Sequence, residues 1–131
     1  MTVSPHSIGR DQSLQTAHDM MRLYDIRHLP VLEYGRLAGV LSQRDLYMIE
    51  SFPGVIVRHT RVEDAMSEDT YCVRPEARVE EVAGEMAENK YGCAVVLSGV
   101  EVCGIFTTTD ALRALCTLLR LRESEGALST R

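Results

Sequence analysis

The chain has 131 residues, a length that suits one compact domain or two small, tightly joined units. It is 45% hydrophobic and 25% charged with only 5% aromatic residues, which predicts a globular protein with an aliphatic core. The formal net charge of −5 argues against nucleic acid or an anionic membrane as the main partner, because both attract clustered Lys and Arg.

The first half of the chain predicts a helix, two strands and a second helix. Asp11 or Ser13 is a suitable N-cap for a helix that runs to about Asp25. Strands are predicted over 29–33 and 37–42, with Tyr34 and Gly35 as the turn between them. The next helix begins near residue 43. The apolar positions of the two helices are Leu14, Ala17, Met21, Tyr24, Leu46 and Ile49.

Residues 51–61 join the two halves, and Pro53-Gly54 predicts a turn within this segment. Thr60 followed by Glu63 is a capping-box pattern that predicts a short helix to Met66. The second half then predicts a helix over 78–89, strands over 94–97 and 102–107, and a helix from 108 to about 121. Core packing accounts for the apolar stripe of that last helix, which consists of Leu112, Leu115, Leu118 and Leu119. Residues 122–131 lack apolar periodicity and are expected to fray.

The two halves repeat one another at an offset of 65 residues without a gap. Gly39–Asp45 aligns with Gly104–Asp110, and Leu29–Leu32 aligns with Ala94–Leu97. Each unit is too small to form a sufficient core alone, so two units packed face to face are expected to share one. We therefore predict an α+β fold of two pseudo-symmetric repeats, 1–58 and 59–121, each with a small mixed sheet packed on helices.

The motif Gly-hydrophobic-x-(Ser/Thr)-x-x-Asp lies where a strand passes into a helix in both repeats. Ser42 and Thr107 would stand beside unpaired N–H groups at a helix N-terminus, which suits a phosphate. Asp45 and Asp110 could accept hydrogen bonds from the two hydroxyls of a ribose. The same residues also make plain helix N-caps. Because the motif occurs at the same position in both repeats, a ligand site is favoured. The same residues could cap the helix and also bind a ligand.

These repeats resemble the CBS-domain family, named after cystathionine beta-synthase. The resemblance covers residues 1 to about 120 and rests on the segments Ile26–Val31, Gly39–Leu46, Glu63–Ser67 and Gly104–Leu112. It implies a β-α-β-β-α plan for each repeat and two clefts that bind AMP, ADP, ATP or S-adenosylmethionine as regulatory ligands, with no required cofactor. It also implies that two such pairs associate through their helices, so a homodimer is expected.

The resemblance further implies that each cleft takes residues from both repeats. One predicted site combines Ser42, Arg44 and Asp45 with Ser67, Tyr71, Val73, Tyr91 and Gly92. The other predicted site combines Thr107, Thr109 and Asp110 with Thr2, His6, Ile8, Arg27, His28 and Leu29.

The two predicted sites are unequal. Arg44 occupies a position that is often basic in the family and could reach a phosphate, although a solvated helix-surface arginine is an equal alternative. Arg27 is a better ligand candidate than His28, because it stays charged at neutral pH. Thr109 stands where Arg44 stands in the first repeat, and the first repeat lacks a counterpart to Arg61–Ala65, so we expect a trimmed chain or an incomplete first lobe. The Asp110 site is therefore expected to be the weaker one.

No sequence pattern favours catalysis or a metal site. The four cysteines form no C-x-x-C pair and are expected to be small buried residues in a reducing compartment. Residues 1–10 contain no apolar signal segment and no stretch could span a membrane, so a cytoplasmic protein is expected. Two functions remain open: a nucleotide sensor that signals to a partner protein, and a ligand-free assembly module whose leucine faces pack within the pair or across a dimer.

Overall fold

The structure, a computed structural model, describes residues 1–124. The elements of the first half are β1 (Thr2–Val3), β2 (Ile8–Gly9), α1 (Leu14–Tyr24), β3 (His28–Glu33), β4 (Arg36–Ser42), α2 (Gln43–Glu50) and a 3-10 helix (Val62–Asp64). The elements of the second half are β5 (Cys72–Val73), α3 (Val79–Asn89), β6 (Cys93–Ser98), β7 (Glu101–Thr107) and α4 (Thr108–Ser124). The predicted α+β fold of two repeats is confirmed.

Local signals set the boundaries of the first repeat. The Ser13 hydroxyl accepts a hydrogen bond from the backbone N–H of Thr16 at 3.2 Å and begins α1. The helix ends at Asp25, whose φ of 53° is left-handed. Tyr34 and Gly35 both have positive φ, 54° and 77°, as a two-residue hairpin turn between β3 and β4 requires. The predicted helix and strands agree with these bounds to within one residue.

The second repeat follows the same path. Its helix α3 ends at Lys90, which has a φ of 60° and lies 65 residues after Asp25. Strands β6 and β7 form an antiparallel hairpin, as β3 and β4 do. Helix α4 continues to Ser124, so the first three residues of the predicted frayed tail are helical, and residues 125–131 lie outside the described residues.

The repeats exchange residues at the edges of their sheets. Thr2 pairs with Ile105, so β1 joins the sheet of the second repeat, in the order β1-β7-β6-β5. At the corresponding place, Ser67 pairs with Val40 beside the sheet β2-β3-β4, through two backbone hydrogen bonds of 2.9 Å. In each repeat, a residue that precedes the short parallel strand, β2 or β5, is therefore bound to the sheet of the other repeat.

The two repeats contain cores of different size. The first buries Ile8, Leu14, Ala17, Met21, Leu29, Val31, Leu41, Leu46 and Val62. The second cluster consists of Val82, Met86, Ala94 and Phe106. Val62 belongs to the first core, although the predicted boundary at residue 58 places it in the second repeat.

Three expectations about local packing are wrong. The short helix is capped by Asp64, whose carboxylate accepts a hydrogen bond from the Arg61 N–H at 3.4 Å, whereas the Thr60 hydroxyl donates to the Ile56 carbonyl. Cys72 and Cys116 are exposed rather than buried. The stripe of α4 is not core, because its residues are about half exposed: Leu112, Leu115, Leu118 and Leu119. In contrast, Leu46 is fully buried and Ile49 packs against the first core.

Candidate functional site

A cleft of about 1040 Å³ opens beside the N-terminus of α2 and the C-terminal end of α3. That volume is slightly above the range typical of small-molecule sites, about 300–1,000 Å³. Its lining includes polar and charged groups from both repeats: Arg27, His28, Ser42, Gln43, Arg44, Asp45, Ser67, Asp69, Thr70, Tyr71, Lys90, Tyr91 and Thr108. The remaining lining residues are Val40, Tyr47, Ala83, Met86, Ala87, Gly92, Cys93 and Ala111.

Asp45 is fixed in a capping box at the start of α2. Its Oδ2 accepts a hydrogen bond from the Ser42 N–H at 2.8 Å, and the Ser42 hydroxyl accepts one from the Asp45 N–H at 3.1 Å. Asp110 and Thr107 make the same pair of bonds at 2.8 Å and 3.2 Å. The cap therefore exists in both repeats and engages the Oδ2 of each aspartate. Asp45 lines the cleft, whereas Asp110 does not.

The backbone at the start of α2 is a poorer anion site than the motif predicts. The Gln43 N–H donates to the Arg27 carbonyl at 2.9 Å, while the N–H groups of Ser42 and Asp45 are bound within the capping box. The Thr108 N–H is bound in the same way, by the Gly92 carbonyl at 3.1 Å. Because these donors already have acceptors, an anion in the cleft would depend mainly on side-chain cations.

Two tyrosines form an aromatic wall of the cleft. Tyr71 and Tyr91 stack with ring centroids 5.1 Å apart and an interplanar angle of 29°. Burial raises the pKa of the Tyr71 hydroxyl, with smaller contributions from nearby acidic groups and Tyr91, so the hydroxyl stays protonated at neutral pH. A flat aromatic surface of this kind suits the ring of a nucleobase.

His28 and Cys93 occupy the same position in the two repeats, 65 residues apart, and both line the cleft. Burial lowers the pKa of His28 and Arg27 lowers it further, against an opposing effect of Asp45. Burial raises the pKa of the Cys93 thiol to about 11. Both side chains are therefore uncharged at neutral pH, and the inner wall of the cleft offers polar but neutral groups.

The structure brings most of the predicted Asp45 group together and adds two residues to it. Ser42, Arg44, Asp45, Ser67, Tyr71, Tyr91 and Gly92 all line the cleft. Val73 does not line it and instead packs against the second core. Arg27 and His28, which the resemblance assigns to the Asp110 group, line the cleft beside Asp45. That regrouping follows from the position of His28, whose Nε2 lies 2.9 Å from where a Cβ on Gly92 would stand.

The predicted Asp110 group is less well assembled. Ile8 and Leu29 are 4% and 0% exposed and belong to the first core, so their side chains do not reach a cleft. His6 stacks on Tyr24 with ring centroids 3.6 Å apart. Thr2 is held in β1 against β7, Thr107 caps α4, and Thr109 is exposed in its first turn. The inequality of the two sites stays a prediction.

Sequence reasoning missed Lys90, Asp69 and Cys93 in the cleft wall. The 65-residue offset could have found Cys93, because it aligns with His28, which was a candidate. It could also have drawn attention to Lys90, because the left-handed end of α3 repeats the end of α1 at Asp25.

Neither a metal-binding cluster nor a membrane-spanning helix occurs in the part of the chain that the structure describes. Within residues 1–124, no group of three or more His, Cys, Asp or Glu side chains is arranged to hold a metal ion. In the same range, no helix has both the length and the apolar character needed to cross a membrane.

Comparison with known proteins gives matches over nearly the whole chain. The family profile of the CBS domain matches residues 1–50 and 62–117. Inosine-5'-monophosphate dehydrogenase of Korarchaeum cryptofilum is 31% identical over 129 residues, which are 98% of this chain and 25% of that protein. The chain thus spans about a quarter of the length of this relative. A Vibrio cholerae protein named for acetoin utilization, AcuB, has a crystal structure that is 33% identical, with a TM-score of 0.83 over 95% of this chain and 92% of the other.

Two more distant structures share the fold and contain ligands. The CBS domain pair of protein MJ0100 was solved with 5'-methylthioadenosine and S-adenosyl-L-methionine, and it is 20% identical with a TM-score of 0.77. The comparison covers 88% of this chain and 92% of that one. CBSX2 was solved in complex with AMP; it is 23% identical, with a TM-score of 0.74 over 90% of this chain and 93% of the other.

Proposed function

Because the chain belongs to the CBS-domain family, we propose that it is a regulatory module that binds an adenosine-containing ligand in the cleft beside Asp45. The observation that carries this proposal is the cleft itself, in which Asp45, the stacked tyrosines and three cationic side chains converge from both repeats. The carboxylate of Asp45 would accept a hydrogen bond from a ribose hydroxyl. The ring of the base would lie against Tyr71 or Tyr91. Similar folds bind AMP, methylthioadenosine or S-adenosylmethionine, which supports this ligand class.

The proposed output is a change in how the repeats are held together. A ligand that contacts Asp45 on one repeat and Tyr91 on the other would favour one relative arrangement, which a partner protein would recognise. The absence of catalysis and a cytoplasmic location stay predictions. Solution scattering with and without ligand tests the change in shape, and identical curves would count against it.

The ligand site is tested by comparing Asp45→Ala with Asp110→Ala. Both variants lose the carboxylate half of the capping box, and Asp110→Ala also loses the bond from the Thr107 hydroxyl at 3.1 Å. Both unliganded melting temperatures should therefore fall, with a loss of about 0.5–2 kcal/mol of stability. We expect wild type and Asp110→Ala to be stabilised by at least one of AMP, ADP, ATP and S-adenosylmethionine. A ligand at 100 times its Kd should add about 2.7 kcal/mol. Asp45→Ala should lose that response. An unchanged response in both variants would exclude the sensor function.

The second candidate function is assembly, and the exposed leucines of α4 favour it. Leu112, Leu115, Leu118 and Leu119 are 58%, 50%, 59% and 48% exposed, and α2 adds exposed Tyr47 and Met48. Apolar groups repeated along one helix are typical of a surface that a partner covers. We propose that a second copy of the chain covers it, and that assembly and ligand binding coexist.

Sedimentation of two matched variants tests the assembly proposal. Leu115→Glu places a charge on the α4 stripe, whereas Val100→Glu places the same charge on the exposed turn between β6 and β7, where Val100 is 56% exposed. We expect a dimer for wild type and Val100→Glu and a monomer for Leu115→Glu. A monomeric wild type would contradict the proposal.

A further inference from the structure

Lys90 stands at the edge of the Asp45 cleft. It is the single lysine of the chain. Its backbone ends helix α3 in the left-handed conformation, with a φ of 60°, and this sharp end places the residue in the cleft lining. The position is therefore set by the helix end and not by a flexible loop.

The cleft contains more cations than its own acids neutralise. Arg27, Arg44 and Lys90 line it, and none of them takes part in an ion pair among residues 1–124. The acids in the lining are Asp45 and Asp69. Unpaired cations that face one cleft favour an anionic ligand, because a phosphate can satisfy several of their N–H donors at once.

The backbone at the start of α2 provides few hydrogen-bond donors for a phosphate, so the side chains must provide most of them. The N–H groups of Ser42, Gln43 and Asp45 already have protein acceptors, so the start of α2 offers few donors to a phosphate. Discrimination between a phosphorylated and an uncharged nucleoside would therefore depend mainly on the cationic side chains.

The corresponding positions of the other repeat carry different charges. Asp25 replaces Lys90 at the same left-handed helix end, with a φ of 53° against 60°, and Thr109 replaces Arg44. The lining residues Ala87 and Gly92 correspond to Arg22 and Arg27 in the first repeat, and Arg27 itself lines the Asp45 cleft. The clearest local difference is thus a reversal of charge at the end of the helix.

We propose that the Asp45 cleft selects nucleosides by their phosphate charge, and that Lys90 is the residue that discriminates. This inference rests on the function proposed above and narrows its ligand class to phosphorylated nucleosides, at one cleft of the pair. The cationic ligand S-adenosylmethionine is then a poor occupant of this cleft.

The experiment is a calorimetric titration with adenosine, AMP, ADP and ATP, which share a base and ribose and differ in phosphate charge. We expect affinity to increase along this series in wild type. Lys90→Asn should bind ATP about tenfold more weakly, the loss of one charge-assisted contact, and adenosine within about twofold of wild type. Asparagine adopts the left-handed conformation readily, so the helix end is preserved.

Asp25→Asn is the matched control, because it also introduces asparagine at the same left-handed helix end, but in the other repeat. It should leave the affinity series unchanged. Repeating the titrations at higher salt should reduce the advantage of ATP over adenosine in wild type, and less so in Lys90→Asn.

A second measurement uses the fact that Lys90 is the only lysine. An amine-reactive reagent should modify Lys90 and the α-amino group, and mass spectrometry separates the two sites. ATP should protect Lys90, whereas adenosine at equal occupancy should not. Equal affinity for adenosine and ATP in wild type would overturn the charge selection and leave the proposed function intact. Binding of none of the four ligands, and none of S-adenosylmethionine, would overturn both.

Discussion

The two repeats follow the same backbone path but lie in different surroundings. Leu14 and Val79 occupy the same position in α1 and α3, yet Leu14 is 0% exposed and Val79 is 54% exposed. The difference arises from the segment around Val62, which packs on the first repeat and is tied to it by hydrogen bonds from Leu14 N to Thr60 O and from Val62 N to Gln12 O. Local signals thus specify the path, and a neighbouring segment decides how much of each repeat is buried.

The largest expected effect comes from matched truncations at this position. Leu14→Ala should destabilise the protein by about 2–5 kcal/mol, because it leaves a cavity in a closed core. Val79→Ala should change stability by about 0.5 kcal/mol or less, because the side chain already faces solvent. Urea unfolding of the two variants measures both values. Equal losses would mean that the second repeat is buried by something other than residues 1–124, such as a second copy of the chain.

A second comparison concerns the glycines at which each repeat meets the start of the other. A Cβ on Gly39 would lie 2.4 Å from the Ser67 carbonyl oxygen, which the paired backbone holds in place. A Cβ on Gly104 would first meet the Met1 sulfur at 2.8 Å, a flexible side chain, and then the Thr2 carbonyl at 3.1 Å. Gly39→Ala should therefore cost about 1–3 kcal/mol, and Gly104→Ala clearly less.

The midpoint of urea unfolding at constant m-value measures this difference. Gly35→Ala is not a suitable control, since its φ of 77° adds backbone strain of its own. Gly84, which has open space around its Cβ position, is suitable, and Gly84→Ala in the middle of α3 should stabilise the protein slightly. A Gly104→Ala loss as large as that of Gly39→Ala would contradict the proposed difference.

These comparisons also show what the sequence could predict. The helix and strand bounds follow from periodicity, caps and turns, all of which act within a few residues, and the capping boxes at Asp45 and Asp110 follow from the motif alone. The regrouping of Arg27 and His28 with Asp45 depends on how the repeats face one another, which no local pattern encodes. The exposure of the α4 leucines also depends on tertiary packing, which no local pattern encodes. An apolar stripe predicts that something covers a helix, but it does not identify the partner.

The smallest expected effect is a difference in the pH dependence of stability between His28 and Cys93, which occupy the same position in the two repeats. Burial lowers the pKa of His28 below the usual 6.5, so the folded protein binds fewer protons than the unfolded chain at mildly acidic pH. Stability is then fully present above pH 6.5 and decreases as the pH falls from there towards the folded pKa. The decrease is small, because Asp45 opposes the effect of burial.

His28→Asn removes this titration and keeps a polar group beside Gly92. The difference in melting temperature between wild type and His28→Asn, measured from pH 7.5 to 5.5, isolates His28 from the other three histidines, which are present in both proteins. We expect wild type to lose stability relative to the variant as the pH decreases. The thiol at the corresponding position, with a pKa of about 11, stays protonated over this range, so Cys93→Ser should leave the pH profile unchanged. A wild type that gains stability relative to His28→Asn on acidification would show that Asp45 dominates over burial and that the inner wall of the cleft is better hydrated than its geometry indicates.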